Sequence, residues 1–225
     1  MVVHNSQSSS RFQQQSNDFF NGLTIADAKK YFDQGLSDTQ AIEPCRSMQN
    51  KEMAIPEAYD WRQQNPECAR EAAPEIDKSC SSSYVHASLS AVEDRICAAS
   101  KGQNKVRLSS KELIECDKTS NGCKGGTVNR VLAWGKRKGF IPEECYSASE
   151  DAEQAECTVE SLQENECRIN QNVYKVIDYC LSQEVEGIKR EIMTNGPVLG
   201  QINPYTDFLP YASGHYQRTQ EAFRY

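Results

Sequence analysis

Apolar residues recur at helical spacing through the middle of the chain. From Ser81, positions Val85, Leu89, Val92 and Ile96 fall at i, i+4, i+7 and i+11, the period of a helix with one buried stripe. Ala87, Ser88 and Ala91 are small and let that helix pack closely. Ser109 has Glu112 three residues on, the spacing of a capping box, and Leu113 and Ile114 supply the apolar face that follows. A third helix is expected from Thr127 to about Lys138, with Val128, Val131, Leu132 and Gly135 inward and Gly139 as its stop. Nearer the N-terminus, Thr24 is placed to cap a short helix through Phe32 that buries Ile25, Ala28 and Phe32. Beyond residue 165 the pattern changes. Val173 to Tyr179 alternates like a strand, and Glu184 to Thr194 reads as a helix with Val185, Ile188 and Ile192 on one face. Asn195-Gly196-Pro197 ends it, and Val198 to Ile202 reads as a further strand. Helices that precede strands define the class α+β.

Composition narrows the partners. The chain has 225 residues, enough for one large domain or two small ones. Residues 1–16 are rich in Ser and Gln and are expected to be a disordered polar tail. Lys and Arg number 25 against 32 Asp and Glu, so no cationic surplus exists to neutralise a nucleic-acid backbone. No run approaches the length of a membrane-spanning helix. Apolar residues make up 38%, with a mean hydropathy of −0.71, which leaves a lean core.

The ten cysteines change the picture more. None forms a CxxC pair, and His4, His86 and His215 lie far apart, so no metal and no cofactor is expected. Structural disulfides are the better reading, which implies an oxidising compartment. The N-terminus points the other way, because no apolar signal region follows Met1. Either a leader was removed before this numbering begins, or the chain stays within the cell or an organelle assembly.

The segment Ser-Cys-Ser-Ser-Ser-Tyr at 79–84 resembles the nucleophile segment Gln-Gly-Ser-Cys-Gly-Ser-Cys-Trp of papain-like cysteine proteases. IPEAYDWR from Ile55 is similar to the start of the mature enzymes. HASLSAVEDRI from His86 is similar to the helix behind the nucleophile in cathepsins B and X. LSSKELIEC, GCKGG and EIMTNGPV resemble further signatures, and NDFFNGLTIADAKKYF resembles the end of a cathepsin B propeptide. The resemblance implies a papain-like two-lobe α+β fold. Its divisions here are a polar tail at 1–16, a propeptide-like segment at 17–54, a complete helical lobe at 55–165 and a partial β-barrel lobe at 166–225.

Carried over residue by residue, the resemblance puts Ser83 at the nucleophile position and Asp77 where the family has its oxyanion-donating Gln. Ser81 replaces a Gly and Tyr84 a Trp. A serine without a strong base is a poor nucleophile, and an acidic Asp77 repels a developing oxyanion. The family's catalytic His and orienting Asn belong to segments expected downstream of Tyr225. A Ser83–His86 pair one helical turn apart is conceivable, although His86 reads better as a packing residue, and His215 as a strand or surface residue. Lys124, Gly125 and Gly126 of GCKGG correspond to the substrate-groove edge, or else to a tight turn held by Cys123. The resemblance pairs Cys80 with Cys123, Cys68 with Cys97, Cys116 with Cys157 and Cys145 with Cys167, leaving Cys45 and Cys180 over.

The function this implies is a catalytically inactive homologue that serves as a structural or binding subunit. Other protein chains would cover the partial barrel, and an extended peptide could lie in the groove. The alternative is a cysteine-type endopeptidase met as a fragment or as a zymogen with a changed nucleophile, for which a lysosomal, vacuolar or secreted location is the family's default.

Overall fold

The computed structural model describes residues 12–29, 42–45, 53–70, 80–146, 157, 172–220 and 222. The chain divides into two compact units, one of Met1–Gln34 with Gly200–Tyr225 and one of Gly35–Leu199.

The smaller unit is built on a strand pair. Strand β1 (Phe12–Gln14) runs antiparallel to β2 (Tyr211–Gly214), with Phe12 opposite Gly214, Gln13 opposite Ser213 and an irregularity before Gln14. β1 lies within the stretch expected to be a polar tail. Its alternation explains why it is ordered: Phe12 and Gln14 point inward and Gln13 outward. The Phe12 ring meets Tyr216 edge-on at 5.3 Å, Phe208 meets the same ring at 5.0 Å, and the Gln14 amide donates to the Asp207 carbonyl at 3.1 Å. Helix α1 (Ile25–Lys29) starts at Thr24, whose hydroxyl accepts from the Asp27 amide at 3.2 Å while the Asp27 carboxylate accepts from the Thr24 amide. Ala28 is buried, as the sequence suggests, whereas Phe32 and the Ile25 side chain lie outside the described residues.

The larger unit opens with α2 (Trp61–Gln64), capped by the Asp60 carboxylate, which accepts from the Arg62 amide. Its centre is α3 (Ser83–Ala99), with α4 (Ser110–Cys116) and α5 (Val128–Arg137) packed against it. Val85 and Leu89 are fully buried, while Val92 and Ile96 are partly buried against the same core. Ser109 and Thr127 cap α4 and α5 by accepting from the amides of Glu112 and Arg130. The inward face of α5 centres on Asn129, Val131, Trp134 and Gly135. Val128 and Leu132, expected inward, are only half-buried. Gly139 follows the helix at φ +80°, a conformation that favours glycine, and its amide reaches back to the Trp134 carbonyl.

The last third of this unit departs most from expectation. Among the described residues, 173–179 form a single antiparallel bridge, Tyr174 with Phe140, in place of the expected strand. Helix α6 (Val185–Asn195) has no buried residue, and Val185 is 66% exposed instead of facing inward. Ile192 packs on Trp61, Cys68 and Cys97, and Arg95 of α3 pairs with Glu191 at 2.9 Å, so α6 is held along one edge. The strand expected over Val198 to Ile202 does not form. A strand exists only as a hydrogen-bonded ladder, and among the described residues no segment pairs with this one.

Gly135 is tightly packed against the core. A Cβ there would lie 2.4 Å from the Phe140 ring and 2.8 Å from Val176. Gly135→Ala gains about 1 kcal/mol of helix propensity but overpacks the core at a cost of about 1–3 kcal/mol. A lower unfolding midpoint is expected in thermal denaturation, partly recovered when Phe140→Leu is added.

Candidate active site

Ser83 is the first residue of the 17-residue helix α3. The helix start is fixed by covalent and backbone ties. Cys80 is disulfide-bonded to Cys123, and the Ser81 amide donates to the Cys123 carbonyl at 2.9 Å. Ser82 occupies the cap position, fully buried, with its hydroxyl turned back 3.5 Å from the Cys80 carbonyl instead of capping the helix. Ser83 itself is exposed, at the positive end of the helix dipole. Among the described residues no side chain hydrogen-bonds its hydroxyl. Asp77, expected at the oxyanion position, lies outside the described residues.

The loop at 122–126 is wound into a 3-10 turn at Gly122–Lys124. The Asn121 amide donates to the Gly125 carbonyl and the Lys124 amide to Asn121, each at 2.9 Å. Gly125 adopts φ +108° and ψ 169°, a region nearly closed to side-chain-bearing residues. Gly125 and Gly126 are buried and Lys124 is exposed. Tyr84 ties this loop to α3: its hydroxyl donates to the Gly122 carbonyl at 3.1 Å, and a Cβ on Gly126 would sit 2.3 Å from its ring. The second glycine thus admits the Tyr84 ring, a role sequence reading does not suggest.

His86 turns away from this end. It is half-buried, makes no hydrogen bond to Ser83, and lines a cavity of about 910 Å³ with Arg70, Glu93, Asp94, Arg107 and Glu143. His215 is exposed and follows β2 in the other unit.

Glu93 was missed by the sequence reading. It is buried; its carboxylate accepts from the Leu108 amide at 2.7 Å and pairs with Arg70 at 2.7 Å and Arg107 at 3.5 Å. Burial nonetheless pushes its pKa up. The signal was present, since Val85, Leu89, Glu93 and Cys97 fall at successive i+4 steps and a carboxylate therefore sits in the buried stripe.

Three of the expected cysteine pairs are joined: Cys80–Cys123, Cys68–Cys97 and Cys116–Cys157. Cys145 is disulfide-bonded, and Cys167, its expected partner, lies outside the described residues. The two left over, Cys45 and Cys180, are bonded to each other. Among the described residues no group of three or more His, Cys, Asp or Glu is placed to hold a metal, and no helix is long and apolar enough to cross a membrane.

The disulfide-held start of a long helix, tied to a glycine loop, belongs to an α+β fold. The family model described as "Papain family cysteine protease" matches residues 55–224, and the chain belongs to that family. It is 28% identical over 177 residues to "Cathepsin B" of Dictyostelium discoideum, covering 73% of this chain and 56% of that one. It is 27% identical to "Cathepsin B-like CP3" of Giardia intestinalis, covering 73% and 54%. The chain thus spans about half the length of these relatives. Among solved structures, "proCathepsin B S9 from Trypanosoma congolense" superposes with a TM-score of 0.71 at 23% identity, over 94% of this chain and 73% of that one. Digestive procathepsin L2 of Tenebrio molitor superposes at 0.70 with 18% identity, over 94% and 65%. Both have the papain-like α+β fold.

Burial holds His86 below the ordinary imidazole value of 6.5, against the pull of Glu143. The folded chain therefore binds fewer protons there than the unfolded chain. Stability from this site is complete above 6.5 and is lost as pH falls through that value toward the lower folded one. His86→Gln should flatten the dependence of unfolding free energy between about pH 7 and about pH 5, measured by denaturant titration. An unchanged slope would assign the effect to another group.

Proposed function

We propose that this chain is a papain-family scaffold that no longer hydrolyses peptides and acts as a binding or structural subunit. The observation that carries the reading is Ser83: an exposed hydroxyl at the nucleophile position, with no hydrogen-bonded base among the described residues. The helix dipole that lowers the pKa of a thiol at such a position leaves a serine hydroxyl almost wholly protonated near neutral pH. Asp77 at the oxyanion position supports the same reading from the sequence, because an acceptor cannot stabilise negative charge developing on the substrate.

A subunit role is supported by apolar surface at the end of the larger unit. Ile177 is 90% exposed, Val185 66% and Leu181 46%. Side chains of this kind, close in sequence on an extended segment and the start of α6, suit coverage by another polypeptide. The glycine loop with Lys124 at its rim offers an edge for an extended peptide without requiring cleavage of it.

The full-length protein from its native source should show no turnover of fluorogenic peptide substrates, and Ser83→Cys in that full-length protein should gain none. Turnover by either, blocked by a thiol- or serine-directed inhibitor, would overturn the reading in favour of a working endopeptidase. In the same preparation, Ile177→Asp should release the covering chain on native chromatography. The isolated fold should lose no more than about 0.5 kcal/mol, as usual for a surface change.

A further inference from the structure

We propose that Cys45–Cys180 is a reducible tether. It locks the segment upstream of the papain-family region onto that region, so that the segment's departure requires thiol–disulfide exchange as well as chain cleavage. The family match begins at residue 55. Cys45 therefore lies outside the family region and Cys180 inside it, 135 residues on. The two are brought together by a short parallel bridge between Pro44 and Leu181. The Cys45 amide donates to the Leu181 carbonyl at 2.9 Å, and the Leu181 amide donates to the Glu43 carbonyl at 3.0 Å. Glu43 and Pro44 are exposed and Cys45 is half-buried, so no apolar core anchors these residues. Two exposed hydrogen bonds and one covalent bond are what hold the described residues 43–45 in place.

Accessibility sets this disulfide apart. Cys180 is exposed and Cys45 half-buried. The three other disulfides that join described residues each have at least one buried member: Cys68 and Cys97, Cys80, and Cys116. An attacking thiolate must approach a sulfur directly, so the exposed bond is the first to exchange. The thiolate of a dithiol attacks Sγ of Cys180, the Sγ–Sγ bond breaks, and Cys45 leaves as a thiolate and takes a proton. The second thiol of the reductant then resolves the mixed disulfide. Two electrons pass to the protein, leaving two cysteine thiols and an oxidised dithiol. While the bond is intact, a cut between residues 46 and 54 keeps residues 43–45 at high effective concentration beside 180–181. Once it is reduced, residues 43–45 keep only the two hydrogen bonds, and farther upstream the segment keeps the noncovalent pairing of β1 with β2. The inference is independent of whether Ser83 is inert, so either idea can fail without the other.

The two bridge amides report on the lock. In the whole chain, a site-specific protease sequence is inserted between Asn50 and Lys51 and cleaved, limiting dithiothreitol is added, and free thiols are alkylated and mapped. Alkylation of Cys45 and Cys180 ahead of Cys68, Cys97, Cys80, Cys123, Cys116 and Cys157 is expected. Hydrogen exchange at the Cys45 and Leu181 amides should accelerate at least about tenfold, the loss of a tether's effective concentration. The cleaved double variant Cys45→Ser/Cys180→Ser should exchange as fast without reductant. Should that variant fold poorly, the reduced wild-type chain gives the same readout. Earlier alkylation of a buried pair, or unchanged exchange once both cysteines carry the label, would overturn the tether.

Discussion

The position of Ser83 depends on the burial of the opposite side of α3. Val85 and Leu89 are fully buried and contribute roughly 1.5–3 kcal/mol each by removal from water. They meet a wall formed by Leu113 of α4, Val131 and Trp134 of α5, and Phe140. Such a helix cannot rotate without exposing its stripe, and so its first turn cannot move either. The Cys80–Cys123 bond then fixes the glycine loop against that turn, and the Tyr84 ring over Gly126 fills the gap between them. Packing in the core and geometry at the tip are one constraint.

A charge in the middle of that stripe has its own consequence. Glu93 is costly to ionise in a buried position, and the fold offsets this with Arg70, Arg107 and the Leu108 amide. The partner on the backbone matters most for architecture. It sets Leu108 next to Ser109, which caps α4 and donates its own amide to the Ile141 carbonyl at 2.9 Å. One carboxylate thereby links α3 to the start of α4 and to the strand-like return at 140–142.

What could be read from the sequence follows the range of each interaction. The starts of α1, α4 and α5 were legible because a cap is decided within four residues, at Thr24, Ser109 and Thr127. The class of fold was legible through motifs that stay contiguous, from IPEAYDWR to GCKGG. β1 was hidden because composition describes residues 1–16 as polar, whereas Phe12 and Gln14 find partners almost two hundred positions away, as in the Gln14–Asp207 bond with its separation of 193. The exposure of Val185 was hidden for the converse reason: a helical period shows which residues share a face, not whether anything covers it. At the candidate site, the sequence placed Ser83 and the glycine loop, but not the use of Gly126 as space for Tyr84. Cysteine spacing carries no information on pairing; the resemblance left Cys45 and Cys180 over, and only the fold shows that they join each other.

That bond also alters the chain as a mechanical object. With residues 45 and 180 joined, and all the other disulfides between described residues lying inside the ring, a pull on the chain from either side runs through this bond and leaves the residues between 45 and 180 unloaded, while α6 lies outside the ring. Roughly 450 Å of potential extension is withheld, at about 3.3–3.6 Å per residue. An unfolding motor that threads a single strand would meet a closed loop on either approach, and would have to draw in two strands at once or stop there.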